Sequence, residues 1–252
     1  MKSGGVTNEA INENGVSTAR RMNAALVRSF KHLLSLVGAR LPARSLHRFQ
    51  LALNYMKLGR WMSEHNFRFD RRVRDRNGVF ASVAERVRDR RVLYLEFGVF
   101  QGASMKYWSR ELRHPESTLH GFDSFEGLPE DFDVAAGYAK GSLSTQGALP
   151  FIDDARVRFF KGWFDQTLPT YSLPGHDVLI ITMDADLYSS TIYVLRHLRP
   201  WIQRGTFIYF DNMSRPEHEP RAFDEFIRES GLKFDPVCAD RSLNTAFFEC
   251  KG

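Results

Sequence analysis

A chain of 252 residues with 43% hydrophobic content can bury one sizeable core and lacks the compositional marks of a disordered or collagen-like protein. Its net charge of +5 is modest, and its two cysteines, Cys238 and Cys250, are too few for a disulfide framework and form no zinc-type pair, which predicts a reducing compartment. No run of about eighteen uncharged apolar residues occurs, and the polar amino terminus has no h-region, so neither a membrane-spanning helix nor a signal peptide is predicted and the expected location is cytoplasmic.

Residues 1–18 read as a mobile tail rich in Gly, Asn, Ser and Thr. Residues 19–64 form a basic helical region: no acid lies between Glu13 and Glu64, whereas Arg20, Arg21, Arg28, Lys31, Arg40, Arg44, Arg48, Lys57 and Arg60 do. Leu26, Val27, Phe30, Leu33, Leu34 and Val37 recur at helical spacing from Arg20 onward, Gly38 and Pro42 stop that helix, and a second helix fits Leu51 to Met62. These helices are expected to pack their apolar faces on the main domain or, in the expected homodimer, on a second subunit; alternatively they lie on an anionic membrane surface as a peripheral contact.

The pattern changes after Arg90. Apolar runs at 92–97, 118–123, 156–162, 177–184 and 205–211 read as strands, with helices near 103–113, 191–203 and 217–230 between them. Strands apolar on both faces and alternating with helices predict an α/β fold: a Rossmann-like, mostly parallel sheet covered on both sides over residues 65–252. "LKFDPVCA" and "LNTAFFEC" follow closely without a helix between them, so the last of seven strands is expected antiparallel at the sheet edge. No internal repeat is present.

Ligands of such sheets bind beyond the carboxyl ends of the strands, so those ends carry the functional candidates. The first ends "EFGVFQGAS", with Glu96, Gly98, Gly102 and Ser104, where glycines admit a ligand to the backbone and a helix amino terminus offers free N–H groups. Its GxxxG spacing departs from the GxGxxG of dinucleotide binders. Asp123 ends the second strand, where an acid commonly accepts ribose hydroxyls, although a helix cap or turn would use it equally well. Trp163 and Phe164 follow the third strand, as adenine neighbours or as core. Asp184 and Asp186 end the fourth, and Asp211 with Asn212 end the fifth; these are hard oxygen donors suited to a magnesium-like or calcium-like ion, or else solvated acids and caps.

From about residue 65 to the end the chain resembles class I S-adenosylmethionine-dependent methyltransferases, specifically the macrocin family of sugar O-methyltransferases, through "LEFGVFQGASM", "GFDSFEGLPE", "RVRFFKGWFDQTLP", "MDADLYSSTIYVL" and "FDN" in that order. The resemblance implies that Glu96, Gly98, Phe100, Gly102 and Ser104 line the methionine part of S-adenosylmethionine, with Asp184 beside them. It implies further that Asp123 and Ser124 hold the ribose, that Gly162, Trp163 and Phe164 border the adenine, and that Asp184, Asp211 and Asn212 bind Mg2+. Two departures stand out: related sugar enzymes commonly carry a second acid at the position of Asn212, and the lysine base of catechol enzymes is replaced by Leu187.

The expected reaction is therefore Mg2+-assisted in-line methyl transfer from a sulfonium to a hydroxyl of a sugar or glycosylated acceptor, the cation lowering the hydroxyl's pKa, with Asp184 and Asp186 as the catalytic acids and Asp186 a candidate for taking the proton. Tyr138, Lys140 and Tyr188 are candidate acceptor contacts, and the loop-like segment 131–151 is a candidate lid. Rival readings are methylation of a catechol-like phenol and, from another class, a basic membrane-surface or nucleic-acid binding module with a vestigial cofactor site. Because no recognised nucleic-acid motif accompanies the charge, no nucleic-acid partner is expected.

Overall fold

The computed structural model describes residue 24 and residues 26–252. The expected tail over 1–18 and the start of the first helix lie outside the described residues. The chain divides into two units, 1–51 and 52–252. In the first, residues 26–38 are helical (α1), and α2 (Ala43–Glu64) starts directly after Pro42, a full turn or more ahead of the expected Leu51. Among the described residues, no helix is long and apolar enough to cross a membrane.

The second unit holds eight strands: β1 (Arg72–Val73), β2 (Val92–Phe97), β3 (Thr118–Asp123), β4 (Val157–Lys161), β5 (Val178–Met183), β6 (Phe207–Phe210), β7 (Phe234–Asp240) and β8 (Ala246–Cys250). Their order is β1-β7-β8-β6-β5-β2-β3-β4. Pairing is parallel except that β8 runs antiparallel to both β6 and β7. The Rossmann-like, mostly parallel sheet is as expected, with two differences. β1 adds an eighth strand, two residues in a charged stretch too short to show a period. β8 is antiparallel but lies inside the sheet, because β7 and β1 continue beyond it.

Side chains alternate between the two faces of each central strand with the period of two that a pleated strand requires, and both faces are buried. Leu93, Leu95 and Phe97 of β2 and Leu179, Ile181 and Met183 of β5 enter one core layer, with Leu58, Leu195 and Phe223 from the helices α2, α6 (Tyr188–Leu198) and α7 (Glu219–Ser230). Val92, Tyr94, Val178 and Ile180 face the opposite layer, with Phe80 and Val83 of α3 (Arg76–Val87) and Met105 and Trp108 of α4 (Ala103–Glu111). Helix α3 was not foreseen from the sequence. Asp75 caps it, its side chain accepting from the Gly78 N–H at 3.1 Å.

Chain order places the site. β2, β3 and β4 progress toward one edge, whereas β5 and β6 lie on the other side of β2, so the order reverses between β2 and β5. A crevice opens at such a reversal because the loops leaving the two strands diverge to opposite faces.

Candidate active site

The carboxyl ends of β2, β5 and β6 are in register: Glu96 pairs with Thr182, and Thr182 with Tyr209. The ladder runs one step further, the Asp184 N–H donating to the Phe97 carbonyl at 2.9 Å and the Asp211 N–H to the Met183 carbonyl at 3.1 Å. With side chains alternating between faces, Glu96, Asp184 and Asp211 project toward the face covered by α3. Arg76, the first residue of α3, meets them there: its Nη2 donates to Asp184 Oδ2 at 2.7 Å, and its Nε stands 3.4 Å from Asp211 Oδ1.

A cavity of about 830 Å³ lies against these strand tips, large enough for two ligands side by side. Gly98, Phe100, Asp123, Ser124, Trp163 and Phe164 line it on the cofactor side proposed from the sequence, and Asp184, Asp186, Asp211, Asn212 and Tyr138 line the remainder. Six candidate residues do not line it with the rest. Glu96 is buried beneath the floor, Ser104 is buried behind Arg76 and accepts from its Nη2 at 2.5 Å, and Gly102 and Gly162 shape the loops behind the wall. Lys140 is exposed, and its backbone N–H donates to Asp131 Oδ1 at 2.8 Å.

Tyr188 also departs from the expectation of an acceptor contact. As the first residue of α6 it turns toward α7, donating its hydroxyl to Glu225 Oε2 at 2.7 Å beneath the Arg221 guanidinium, 4.1 Å from the ring centre. One helical turn on, Tyr193 lines the cavity instead, as do Ser189 and Arg215, none of which was singled out in the sequence. Arg215 pairs with Asp133 at 2.9 Å and so ties segment 131–151 to the loop after β6.

Asp123 has a structural task whatever it binds. Its Oδ2 accepts from the Val99 and Phe100 N–H groups at 2.8 Å each, and its Oδ1 from the Phe125 N–H at 2.7 Å. An ionised carboxylate offers about four acceptor positions, so one remains for a ligand hydroxyl.

Asp186 sits in a tight turn in which the Leu187 N–H donates to the Ala185 carbonyl at 2.6 Å, with φ of 60° at Asp186 itself. A left-handed conformation at a non-glycine residue costs energy and persists where surrounding structure enforces it, commonly at reactive sites. The Asn212 Nδ2 donates to Asp186 Oδ1 at 2.8 Å, and the Asn212 backbone N–H donates to Glu219 Oε2 at 2.9 Å.

Acid outweighs base in this pocket. Burial pushes the Glu96 carboxyl up to about 8 against the opposing pull of Arg76, and burial together with Asp211 pushes Asp186 up to about 7 against the Asn212 hydrogen bond. Asp184 is raised as well, by burial and by Asp211, with Arg76 opposing. Burial works against the charge of Arg76, but Asp184 and Asp211 outweigh it and raise its pKa. Such a pocket favours a cationic guest, because added positive charge lets raised carboxyls ionise.

The Mg2+ set implied by the resemblance does not fit this arrangement. A guanidinium is bound between Asp184 and Asp211, in the space an ion shared by the two carboxylates would need, and Mg2+ requires near-octahedral oxygen ligands at about 2.0–2.1 Å. Among the described residues, no cluster of three His, Cys, Asp or Glu side chains is arranged to hold a metal ion.

A family model described as Macrocin-O-methyltransferase (TylF) matches residues 74–242. Demethyldecarbamoylnovobiocin O-methyltransferase of Streptomyces niveus is 28% identical over 165 residues, covering 58% of this chain and 62% of that protein. Mycinamicin III 3''-O-methyltransferase of Micromonospora griseorubida is 30% identical over 131 residues, covering 51% of this chain and 47% of that protein. The chain thus matches roughly half to three-fifths of these relatives' length. Among solved structures, the calicheamicin methyltransferase CalS11 shares the fold at a TM-score of 0.52 and 18% identity, covering 99% of both chains. The O-methyltransferase NovP does so at 0.51 and 23%, covering 70% of this chain and 78% of its own.

Proposed function

The chain belongs to the macrocin O-methyltransferase family, and from that membership we propose that it moves a methyl group from S-adenosylmethionine to a hydroxyl of a sugar or glycosylated acceptor. The observation that carries this reading is the carboxyl-rich floor at the strand-order reversal, opening into a cavity with room for donor and acceptor together. Bound there, S-adenosylmethionine would supply an electrophilic methyl on a sulfonium. Glu96 and Asp184 would face its positive charge, Asp123 its ribose with the acceptor position left over from the backbone, and Trp163 and Phe164 its adenine. Across the cavity Asp186 would take the hydroxyl proton as the sulfur–carbon bond breaks and the oxygen–carbon bond forms. Much of the acceleration would come from holding the two reactants in line at contact distance.

The phenol alternative is less well served. Leu187, at the position of the catechol-type lysine, is buried at 1% exposure and offers no base. Calorimetry with S-adenosylhomocysteine tests the donor half of the reading, and absence of binding to folded protein would reject it. Turnover on glycosides compared with catechols tests the acceptor half; a catechol preference would reject the sugar assignment.

Burial of Glu96 has a measurable consequence. With its pKa raised to about 8, the carboxyl is largely protonated at pH 7 in the empty pocket. A cationic donor favours the ionised form, so binding at pH 7 is expected to release close to one proton, falling toward zero well above pH 8. Calorimetry in buffers of different ionisation enthalpy measures this release. It should fall sharply in Glu96→Gln, what remains coming from the likewise raised Asp184 and Asp186; release undiminished in that variant would place the proton elsewhere.

A further inference from the structure

Arg76 is held as part of the pocket. Its Nη2 donates to Asp184 Oδ2 at 2.7 Å and to Ser104 Oγ at 2.5 Å, and its Nε lies 3.4 Å from Asp211 Oδ1. The guanidinium carbon stands 5.4 Å from the Phe80 ring centre and 5.9 Å from that of Tyr209, both rings fully buried. Asp211 Oδ1 also accepts from the Tyr209 hydroxyl at 2.5 Å, so the carboxylate and the ring beneath the guanidinium are fixed to each other. Asp75 caps the helix that begins with Arg76. Every element around this side chain fixes it where the tips of β5 and β6 converge.

Adjacent carboxylates repel unless a cation lies between them, and a guanidinium supplies that charge permanently, with donors in a planar fork. Asn212 completes the arrangement. An acid there would add a further negative charge facing a single Arg, whereas the amide is neutral and donates to Asp186. Resting on the methyltransferase reading above, we infer that Arg76 is the resident cation of this pocket, joining Asp184 to Asp211 in the seat a divalent ion would otherwise take, so that methyl transfer requires no metal. Arg76 is then a positioning residue: it sets Asp184 and Asp211 in place, and through Ser104 it joins the acceptor side of the pocket to the start of α4.

Mn2+ serves as the probe, because its free-ion electron paramagnetic resonance signal is lost on binding and the measurement needs neither donor nor acceptor. The full chain, freed of metal with chelator, is expected to leave the Mn2+ signal unchanged and to show no thermal shift with Mg2+. Arg76→Met, with the guanidinium gone and the carboxylates exposed to one another, is expected to bind one Mn2+ per chain and to gain thermal stability with Mg2+. Wild-type turnover is expected to be equal in chelator and in Mg2+, while turnover lost in Arg76→Met is partly restored by Mg2+. Stoichiometric Mn2+ uptake by the wild-type chain, or loss of its turnover in chelator, overturns the inference. So does a folded Arg76→Met that takes up no Mn2+, and if that variant does not fold the wild-type measurement decides alone. Failure of S-adenosylhomocysteine to bind would reject the methyltransferase reading and leave the Mn2+ result standing as a separate finding.

Discussion

Asp186→Asn is expected to lower kcat by about 10²–10⁴-fold, the range typical for loss of a positioned general base, with little change in cofactor affinity. The variant preserves shape and can keep a hydrogen bond with Asn212, so the loss would report on proton acceptance. The pH profile gives an independent readout. A base must be ionised to act, and Asp186 is raised to about 7, chiefly by burial and by Asp211. Wild-type kcat/KM is therefore expected to rise with pH and level off above about 7, and this rising limb should be absent in Asp186→Asn. Asn212→Ala removes a hydrogen bond that favours the ionised form, so its limb should move to higher pH. A profile in Asp186→Asn with the same limb and nearly full kcat would show that another group takes the proton.

The second large effect is expected at Gly98, whose φ is 88°. A Cβ at this position would lie 1.9 Å from the Asp184 carbonyl oxygen. Neither backbone has room to withdraw, since Gly98 N–H donates to the Phe122 carbonyl at 3.0 Å and Asp184 N–H to the Phe97 carbonyl at 2.9 Å. Overpacking costs about 1–3 kcal/mol and a left-handed non-glycine residue about 1 kcal/mol more, so Gly98→Ala is expected to destabilise by roughly 3 kcal/mol. In a chain of this size that corresponds to a Tm lower by roughly 6–12 °C. Because the clash displaces Asp184, binding of S-adenosylhomocysteine should fall as well. Gly59→Ala in α2 is the control: nothing lies within 4 Å of the added carbon, and the helix should be unchanged or slightly stabilised. A Gly98→Ala protein with wild-type Tm and affinity would contradict the close approach of the two loops.

Much of this arrangement could be read from the residues. β2 and β5 are buried at every position and apolar apart from Glu96 and Thr182, the mark of a strand covered on both faces, and the acids at their carboxyl ends stand out against that background. Arg76 could not be read in the same way. It lies in "RRVRDRNGVF", where neighbouring arginines resemble a solvated surface and Gly78 weakens the helical pattern, although Asp75 ahead of an apolar run was an available capping signal. The place of β8 was also partly legible. Pro236 has no N–H to give to a ladder, which suits β7 at a place where β1, paired only with Ala239 and Asp240, leaves one side open, while Ala246, Phe247 and Phe248 are buried as an inner strand requires. Which way Tyr188 faces could not be read from the sequence, because Glu225 and Arg221 of α7 turn the first residue of α6 toward that helix.

The contact between Gly98 and the Asp184 carbonyl leaves no slack between the turn beside the donor pocket and the turn that carries Asp186. On the methyltransferase reading proposed above, retargeting the chain to a different acceptor by altering either turn would disturb both at once. On the same reading, diversity in acceptors would enter through cavity residues outside those two turns, such as Tyr138 and Tyr193, and through the tie between Asp133 and Arg215.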